Sequence, residues 1–403
     1  MRADTAFRLH ARHRLDIRAA DLAAALTVLP ASDHSRAAED VEWLWTLDRS
    51  ALACYSVRSG FHLLLSAMAL PAGSEVLFSA VTHPDMPRLA RHHGLVPVPV
   101  DLDAATLAPH PEALVRAIGD RARVMVVAHL FGGHVDLRPV AAVCNRRGIV
   151  LVEDCAQAFD GPRDTGDPLA DVSMFSFGIL KTSTALGGAM LIVRDPGLLA
   201  RMRAVERRWP VQKPSAHLKR IVQTAAFAGL TRPLPFTMLA AAAGSAGIEF
   251  DHLVNSAARA FPAGSTAALV RRLEKQPGAP LLKLLAHRLR TFDQSRLAAR
   301  AASGQRLAAM LPAGLHVGGS ALNHTHWLFP VVTEKPDDLI RKVRAAGFDA
   351  ARSASSVSAV PAPPDRPELE PVRARDLMSR LVFLPAYPEL PAGALEVLAD
   401  AAR

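Results

Sequence analysis

The stretch Ser176–Met190, SFGILKTSTALGGAM, holds a single lysine, Lys181, among small, apolar and hydroxyl residues and runs into Gly187-Gly188. A lysine in a tight site with little water has a depressed pKa, so it can act as an amine nucleophile and form a Schiff base with a carbonyl. Three other stretches carry groups that complement it. In IVLVEDCAQAFDG an apolar run ends on Asp154, with Gln157 just beyond, and a carboxylate held there can pair with a protonated ring nitrogen. In FSAVTHPDM, His83 stands in a turn before Pro84, where a flat imidazole can stack on a cofactor ring. In RSGFHLLL, Ser59-Gly60 precedes a helical apolar run. The N–H groups of a helix start bind phosphate, and glycine permits close approach.

Each of these has a plain reading when taken alone. Ser59 and Asp154 suit helix N-caps, His83 a surface turn and Lys181 a surface loop. The ordered set is different, because core packing does not require it. It supplies what a pyridoxal phosphate site needs: a carboxylate to keep the pyridine nitrogen protonated, and a lysine to bind the aldehyde and shuttle protons. A helix start and Ser176 would hold the phosphate. The three cysteines, Cys54, Cys144 and Cys155, have no metal-binding spacing and make no disulfide framework, so no metal is expected.

The elements that must position these groups alternate. Strand patterns fall at Glu75–Ser79, Val96–Val100, Arg123–Ala128, Ile149–Glu153, Val172–Phe177 and Met190–Val193. They are short, apolar and without strict alternation, as strands buried on both faces are. Helical patterns lie between them at Gly60–Ala69, Asp85–His93, Pro111–Ile118, Asp136–Arg147 and Pro196–Arg208. The alternation predicts an α/β fold with a mostly parallel sheet flanked by helices, whose ligands gather at the carboxyl ends of the strands. An Ala-rich apolar insert follows at about 215–265. A single long helical pattern then runs from Pro280 to Met310. It leads into a smaller C-terminal α+β unit with strands at LHVGG, HWLFPVV and Arg380–Leu384 and helices at Asp337–Ala346 and Ala392–Arg403. SVSAVPAPPDRPELEP reads as a Pro-rich surface loop. The expected division is a cofactor-binding large domain over 1–280, then a linking helix and small domain over 281–403.

The chain has 403 residues and a formal net charge of +9. Its Lys and Arg are scattered among the acidic residues with no interleaved aromatics, which argues against a nucleic-acid-binding role. The N-terminus lacks a continuous apolar run, and the most membrane-like stretch, Ile221–Ile248, is interrupted by Arg232, Pro233 and Pro235. A cytoplasmic protein is expected. For 221–248, packing at a subunit interface is preferred over an acceptor pocket, a membrane surface or a partner-enzyme contact.

From about Leu52 to Asp195, and again weakly to the C-terminus, the chain resembles the DegT/DnrJ/EryC1/StrS (sugar) aminotransferases, fold-type I pyridoxal phosphate enzymes. The family's SGTAAL turn stands here as SGFHLL, PVHLYG as VAHLFGGHVDL, and VIEDAAQA as LVEDCAQA. Its Ser-Phe…Lys…Gly-Gly stands as SFGILKTSTALGG, and LPLYPEL as LPAYPEL. The resemblance implies a pyridoxal 5'-phosphate internal aldimine on Lys181, Asp154 at the pyridine nitrogen and Gln157 near the ring hydroxyl. It also implies Ser176 on the phosphate with Ser59 and the backbone of Gly60 and Phe61, and His83 as the stacking residue. Two departures stand out. Phe61-His62 replaces the family's Thr-Ala, so the phosphate cup must differ. The partner-subunit segment Gly-x-Asn-x-Arg reads NSAARAFPAG, with Arg259 for the arginine and Ala257 for the asparagine. The implied activity is transfer of an amino group from an amino acid, glutamate or glutamine, to a keto acceptor such as a nucleotide-linked sugar or other biosynthetic intermediate, by at least a homodimer. Other chemistry on the same scaffold (decarboxylation, acyl transfer) and a non-catalytic regulatory role are the alternatives. Family members that dehydrate sugars carry histidine in place of the lysine, so the presence of Lys181 argues against that variant.

Overall fold

The computed structural model describes residues 8–246, 264–352 and 356–403. Its strands, in chain order, are β1 Ala51–Cys54, β2 Glu75–Ser79, β3 Val81–Thr82, β4 Val96–Val100, β5 Ala122–Ala128, β6 Val150–Asp154, β7 Val172–Ser176, β8 Ala189–Val193, β9 Phe329–Val332, β10 Ser358–Ala359 and β11 Leu381–Leu384. The helices of the first part are α1 Ala19–Thr27, α2 His34–Trp45, α3 Val57–Met68, α4 Asp85–His92, α5 Pro111–Ala117, α6 Arg138–Arg147, α7 Pro196–Glu206, α8 Pro214–Leu230 and α9 Pro233–Ser245. They continue with α10 Thr266–Leu273, α11 Ala279–Arg290, α12 Gln294–Met310, α13 Pro336–Ala345, α14 Val372–Arg380 and α15 Ala394–Ala402.

Seven strands form one sheet in the order β1-β8-β7-β6-β5-β2-β4. β4, β2, β5, β6 and β7 pair in parallel. β8 runs antiparallel to both β7 and β1. The reversal has a simple cause: a parallel return needs a helical crossover, whereas β7 and β8 are joined by the loop of residues 177–188 with no helix in it. That loop therefore starts at the carboxyl end of β7, and it carries Lys181. The sheet is buried on both faces. Phe61, Leu63 and Leu64 of α3 and Met202 of α7 cover one side, and Leu114 of α5 with Val140 and Cys144 of α6 pack on the other.

The helical pattern read as continuous from Pro280 to Met310 is two helices. They break at Thr291–Asp293, where the Asp293 carboxylate accepts the Arg296 N–H (3.0 Å) and caps α12. Leu282, Leu285 and Leu289 of α11 pack with Val41 and Trp45 of α2, while Leu307 of α12 joins the core of the small unit with Phe329, Val343 and Leu398. LHVGG forms no strand and contributes a single bridge, His316 to Val331. The Pro-rich segment is not wholly a surface loop. It opens with β10, paired to β3, and buries Val360. β1, α1 and α2 have no counterpart in the sequence patterns above. Among the described residues, no helix is long and apolar enough to cross a membrane.

Candidate active site

One cavity of about 590 Å³ opens at the carboxyl ends of the parallel strands. Asp154 at the end of β6, Gln157 beyond it, Ser176 at the end of β7, Lys181 in the following loop and His83 after β3 all line it. The structure thus gathers five of the expected site residues on one surface. Gly187 and Gly188 line it as well. Gly188 adopts φ +84°, which favours glycine, where the loop re-enters the sheet.

The lysine loop is held from three distant parts of the chain. Ser183 N–H donates to Asp16 in the N-terminal segment (2.8 Å). Arg288 of α11 donates to the Thr184 carbonyl (3.1 Å), and Arg300 of α12 to the Thr182 hydroxyl (3.2 Å). The Leu180 carbonyl, one peptide before the lysine, accepts from the Trp327 indole N–H (2.9 Å) and lies 3.1 Å from His13 Nε2. The Lys181 Nζ lies over the Trp327 ring, 4.0 Å from its centroid. Burial pushes the lysine down to about 8; the Asp154 charge opposes the shift and the Arg58 charge adds to it.

Asp154 is buried, and burial raises its carboxyl against the Ala156 N–H it accepts (3.0 Å) and the charge of Lys181. A buried carboxylate with one backbone donor, facing a cavity, fits a protonated ring nitrogen as its partner. Beneath it, the His129 ring Nδ1 accepts the Val135 N–H (2.9 Å), which leaves the ring proton on Nε2, facing Glu153 (2.7 Å). Burial alone would raise Glu153; the bonds from His129, Ser173 and the Asp167 N–H outweigh it and hold the carboxyl near 2. His83 Nδ1 accepts the Asp85 N–H (3.1 Å), and removal from bulk water together with Arg58 lowers its pKa, so the ring is neutral. The Gln157 amide oxygen accepts the Phe131 N–H (2.9 Å).

Ser59, Gly60 and Phe61 do not reach the cavity, and the expected cup is corrected here. α3 begins two residues ahead of Ser59, capped by Ser56, whose hydroxyl accepts the Ser59 N–H (3.1 Å). The Ser59 hydroxyl is committed to the Leu273 carbonyl, and the Gly60 N–H to the Ser56 carbonyl (2.9 Å). Phe61 is a core residue against Phe78. Gly60 is small for packing: a Cβ there would stand 2.7 Å from Leu191 Cδ1. Tyr55, Ser56, Val57 and Arg58 line the cavity instead. Val57 and Arg58 are the first two residues of the helix, and Arg58 pairs with Asp85 (2.7 Å). Arg259 and Ala257 lie outside the described residues.

Sequence reasoning missed Ser56, Arg58, His13 and Trp327. Ser56 carries an N-cap signal that Ser59 also carries. Trp327 carried none, because its partners are remote in sequence.

A mostly parallel sheet with one reversed strand, a lysine loop after it and a smaller C-terminal α+β unit is the architecture of fold-type I pyridoxal phosphate enzymes. Residues 43–223 match the profile of the DegT/DnrJ/EryC1/StrS aminotransferase family. Among solved structures, AtS13 from Actinomadura melliaura aligns with a TM-score of 0.69 at 18% identity, covering 98% of each chain. The sugar aminotransferase CalS13 from Micromonospora echinospora aligns at 0.66 and 18%, covering 96% of this chain and 98% of that one. NtdA from Bacillus subtilis, whose structure holds the cofactor PMP, aligns at 0.66 and 14%, covering 96% and 82%.

Proposed function

We propose that the protein is a pyridoxal phosphate-dependent aminotransferase, moving an amino group from an amino acid, glutamate or glutamine, to a keto acceptor. The observation that carries this reading is Lys181, half-buried on the same cavity wall as the under-partnered carboxylate of Asp154. The family match supports the same reading. When bound, pyridoxal phosphate supplies an electron sink that weakens a C–H bond of the attached amino acid.

The chain's own groups do the rest. Lys181 would hold the cofactor covalently until an amino donor displaces it. Its freed Nζ, whose burial lowers its pKa to about 8, would then take the proton from the substrate carbon as base and give it back as acid. The Asp154 carboxylate would face the cofactor's ring nitrogen and hold its proton by charge. The Val57 and Arg58 N–H groups and the Ser176 hydroxyl would bind the phosphate, a helix start being a ready anion site. Neutral His83 would lie against the ring and Gln157 beside its hydroxyl. Arg88, Arg220 and Arg272 line the outer cavity wall and suit an anionic group of the donor or of a nucleotide-linked acceptor. We read the two units as meeting near residues 291–293, and the active form as at least a homodimer in the cytoplasm.

The holoenzyme tests this directly. It should absorb visible light, and borohydride should bleach it and leave the cofactor's mass on the Lys181 peptide. Glutamate or glutamine should convert it to the amine form of the cofactor. A colourless protein untouched by borohydride refutes the cofactor; a coloured one indifferent to amino donors refutes the transfer.

A further inference from the structure

A second, much smaller cavity lies beside the lysine loop, where the N-terminal segment, α12 and the small unit meet. Its volume is about 20 Å³. Leu180, Lys181 and Trp327 line both this space and the large cavity, so they form a shared wall. A space of that size takes one water molecule or one ion no larger than a water.

Its lining is unbalanced in charge. Arg12, Arg14, Lys181, Arg296 and Arg300 stand against one carboxylate, Asp16. Two of the arginines are matched: Arg12 pairs with Asp349 (2.6 Å), and Arg296 with Asp16 (3.3 Å) and Glu389 (2.9 Å). Asp16 also pairs with Arg288 (3.5 Å) and accepts the Ser183 N–H (2.8 Å). Arg14 pairs with no carboxylate among the described residues. Arg300 is buried and bonds only to neutral oxygens. Its Nε donates to the Thr325 carbonyl (2.9 Å), and its Nη1 and Nη2 to the Thr182 hydroxyl (both 3.2 Å). A guanidinium carries five N–H donors, so these bonds leave two of them without a protein acceptor. Burial lowers Arg300 to about 10, and the guanidinium stays charged. His326, also on the lining, has its Nδ1 buried with no hydrogen-bond partner among the described residues. Burying a charge without a counter-charge is costly.

We propose that this small cavity binds a monatomic anion, chloride, between Arg300, Arg14 and His326. The anion accepts the spare N–H groups of Arg300 and a proton-bearing Nδ1 of His326, and it supplies the charge that the lining lacks. Size decides among anions, because phosphate and sulfate exceed the space of one water. Charge decides against water, because a neutral molecule leaves Arg300 and Arg14 unmatched. Lys181 shares the wall, so the bound anion favours its ammonium form. The site stands apart from the cavity proposed for the cofactor, so its occupancy can be read with or without cofactor.

The test compares the full chain in sodium chloride and in sodium gluconate at one ionic strength. The unfolding temperature of the holoenzyme should rise with chloride along a saturating curve. The chloride NMR line should show broadening that saturates over the same range. Arg300→Gln and Arg14→Gln should each weaken chloride binding at least about tenfold, as expected for losing a hydrogen bond from a charged group. Arg14→Gln leaves every bond to the lysine loop in place, so it carries the test if Arg300→Gln does not fold. In the cofactor-free chain, chloride should move the half-maximum for acylation of Lys181 to higher pH, and should do so less in Arg14→Gln. Equal unfolding temperatures in chloride and gluconate overturn the proposal and assign the space to water. Saturable chloride binding that survives in the variants also overturns it, because the ion then lies elsewhere. Chloride binding that leaves the Lys181 titration unmoved overturns its placement beside the lysine.

Discussion

Replacing Trp327 with leucine should make Lys181 easier to deprotonate. The Lys181 Nζ stands 4.0 Å from the centre of the Trp327 ring, in a place where burial has already lowered its pKa to about 8. A desolvated ammonium over an indole face gains about 2 kcal/mol. Only the charged form gains it, so losing the ring lowers the pKa by that amount, and about 1.4 kcal/mol corresponds to a tenfold change. The lysine in Trp327→Leu should therefore titrate at a pH lower than in the wild-type protein, by roughly 1.5 pH units. The assay is acylation of Lys181 in cofactor-free enzyme across pH, read by peptide mass spectrometry. The half-maximum should move to lower pH, because the neutral amine is the reactive form. Trp327→Phe separates two roles. It keeps an aromatic face, so the pKa should fall less, but it removes the N–H that holds the Leu180 carbonyl (2.9 Å). An unchanged or higher half-maximum in Trp327→Leu would falsify the cation–π account.

Lys181→Ala should abolish turnover while the protein still folds; surviving activity would sink the mechanism. Asp154→Asn should slow the half-reaction with glutamate by roughly 10²–10⁴-fold, the range for losing a well-placed proton-holding group, as followed in single-turnover absorbance; a rate within a few-fold of wild type would remove Asp154 from its role. Ser56→Ala and Gly60→Val should act in opposite ways. The first loses a helix cap at about 1 kcal/mol and weakens cofactor binding, measured as the Kd of the apo enzyme. The second crowds Leu191 and should cost about 1–3 kcal/mol of stability, with cofactor affinity retained in the folded fraction. The reverse pattern would return the cup to Ser59-Gly60.

The parts of the site that local sequence reveals are those placed by a single strand end. β6 ends on Asp154 and β7 on Ser176, so an apolar run followed by one functional residue sufficed to put both on the cavity. His83 and Lys181 follow by the same logic. The phosphate end failed because Ser56 and Ser59 are equivalent caps by local criteria, and the choice between them is tertiary. β1 ends at Cys54, and the Gly188 N–H fixes the Tyr55 carbonyl (3.1 Å), so the helix must start at once. Four buried residues, ALAC, do not announce a strand, and without β1 the helix start floats. Trp327 and His13 lie further still from local signal. They meet the Leu180 carbonyl from positions 147 and 167 residues away. The apolar segment of α8 was legible, but which of its residues turn inward depends on what Ile221 packs against.

The Gly188–Tyr55 hydrogen bond also explains why the reversed strand matters for chemistry. The lysine loop ends at Gly188, and the capped start of α3 follows Tyr55 directly. The antiparallel register of β8 on β1, with Ala189 opposite Cys54 and Met190 opposite Ala53, therefore brings the lysine loop and the start of α3 to the one cavity that Lys181, Val57 and Arg58 all line. A one-residue slip in that pairing would turn every side chain of β8 to the opposite face. It would also displace the group that would bind an aldehyde from the groups that would bind its phosphate. The buried Leu191 under Gly60 opposes such a slip, since only that register brings the glycine's bare face onto the leucine. The small residue first read as a phosphate contact would then hold the distance between the two ends of the cofactor site.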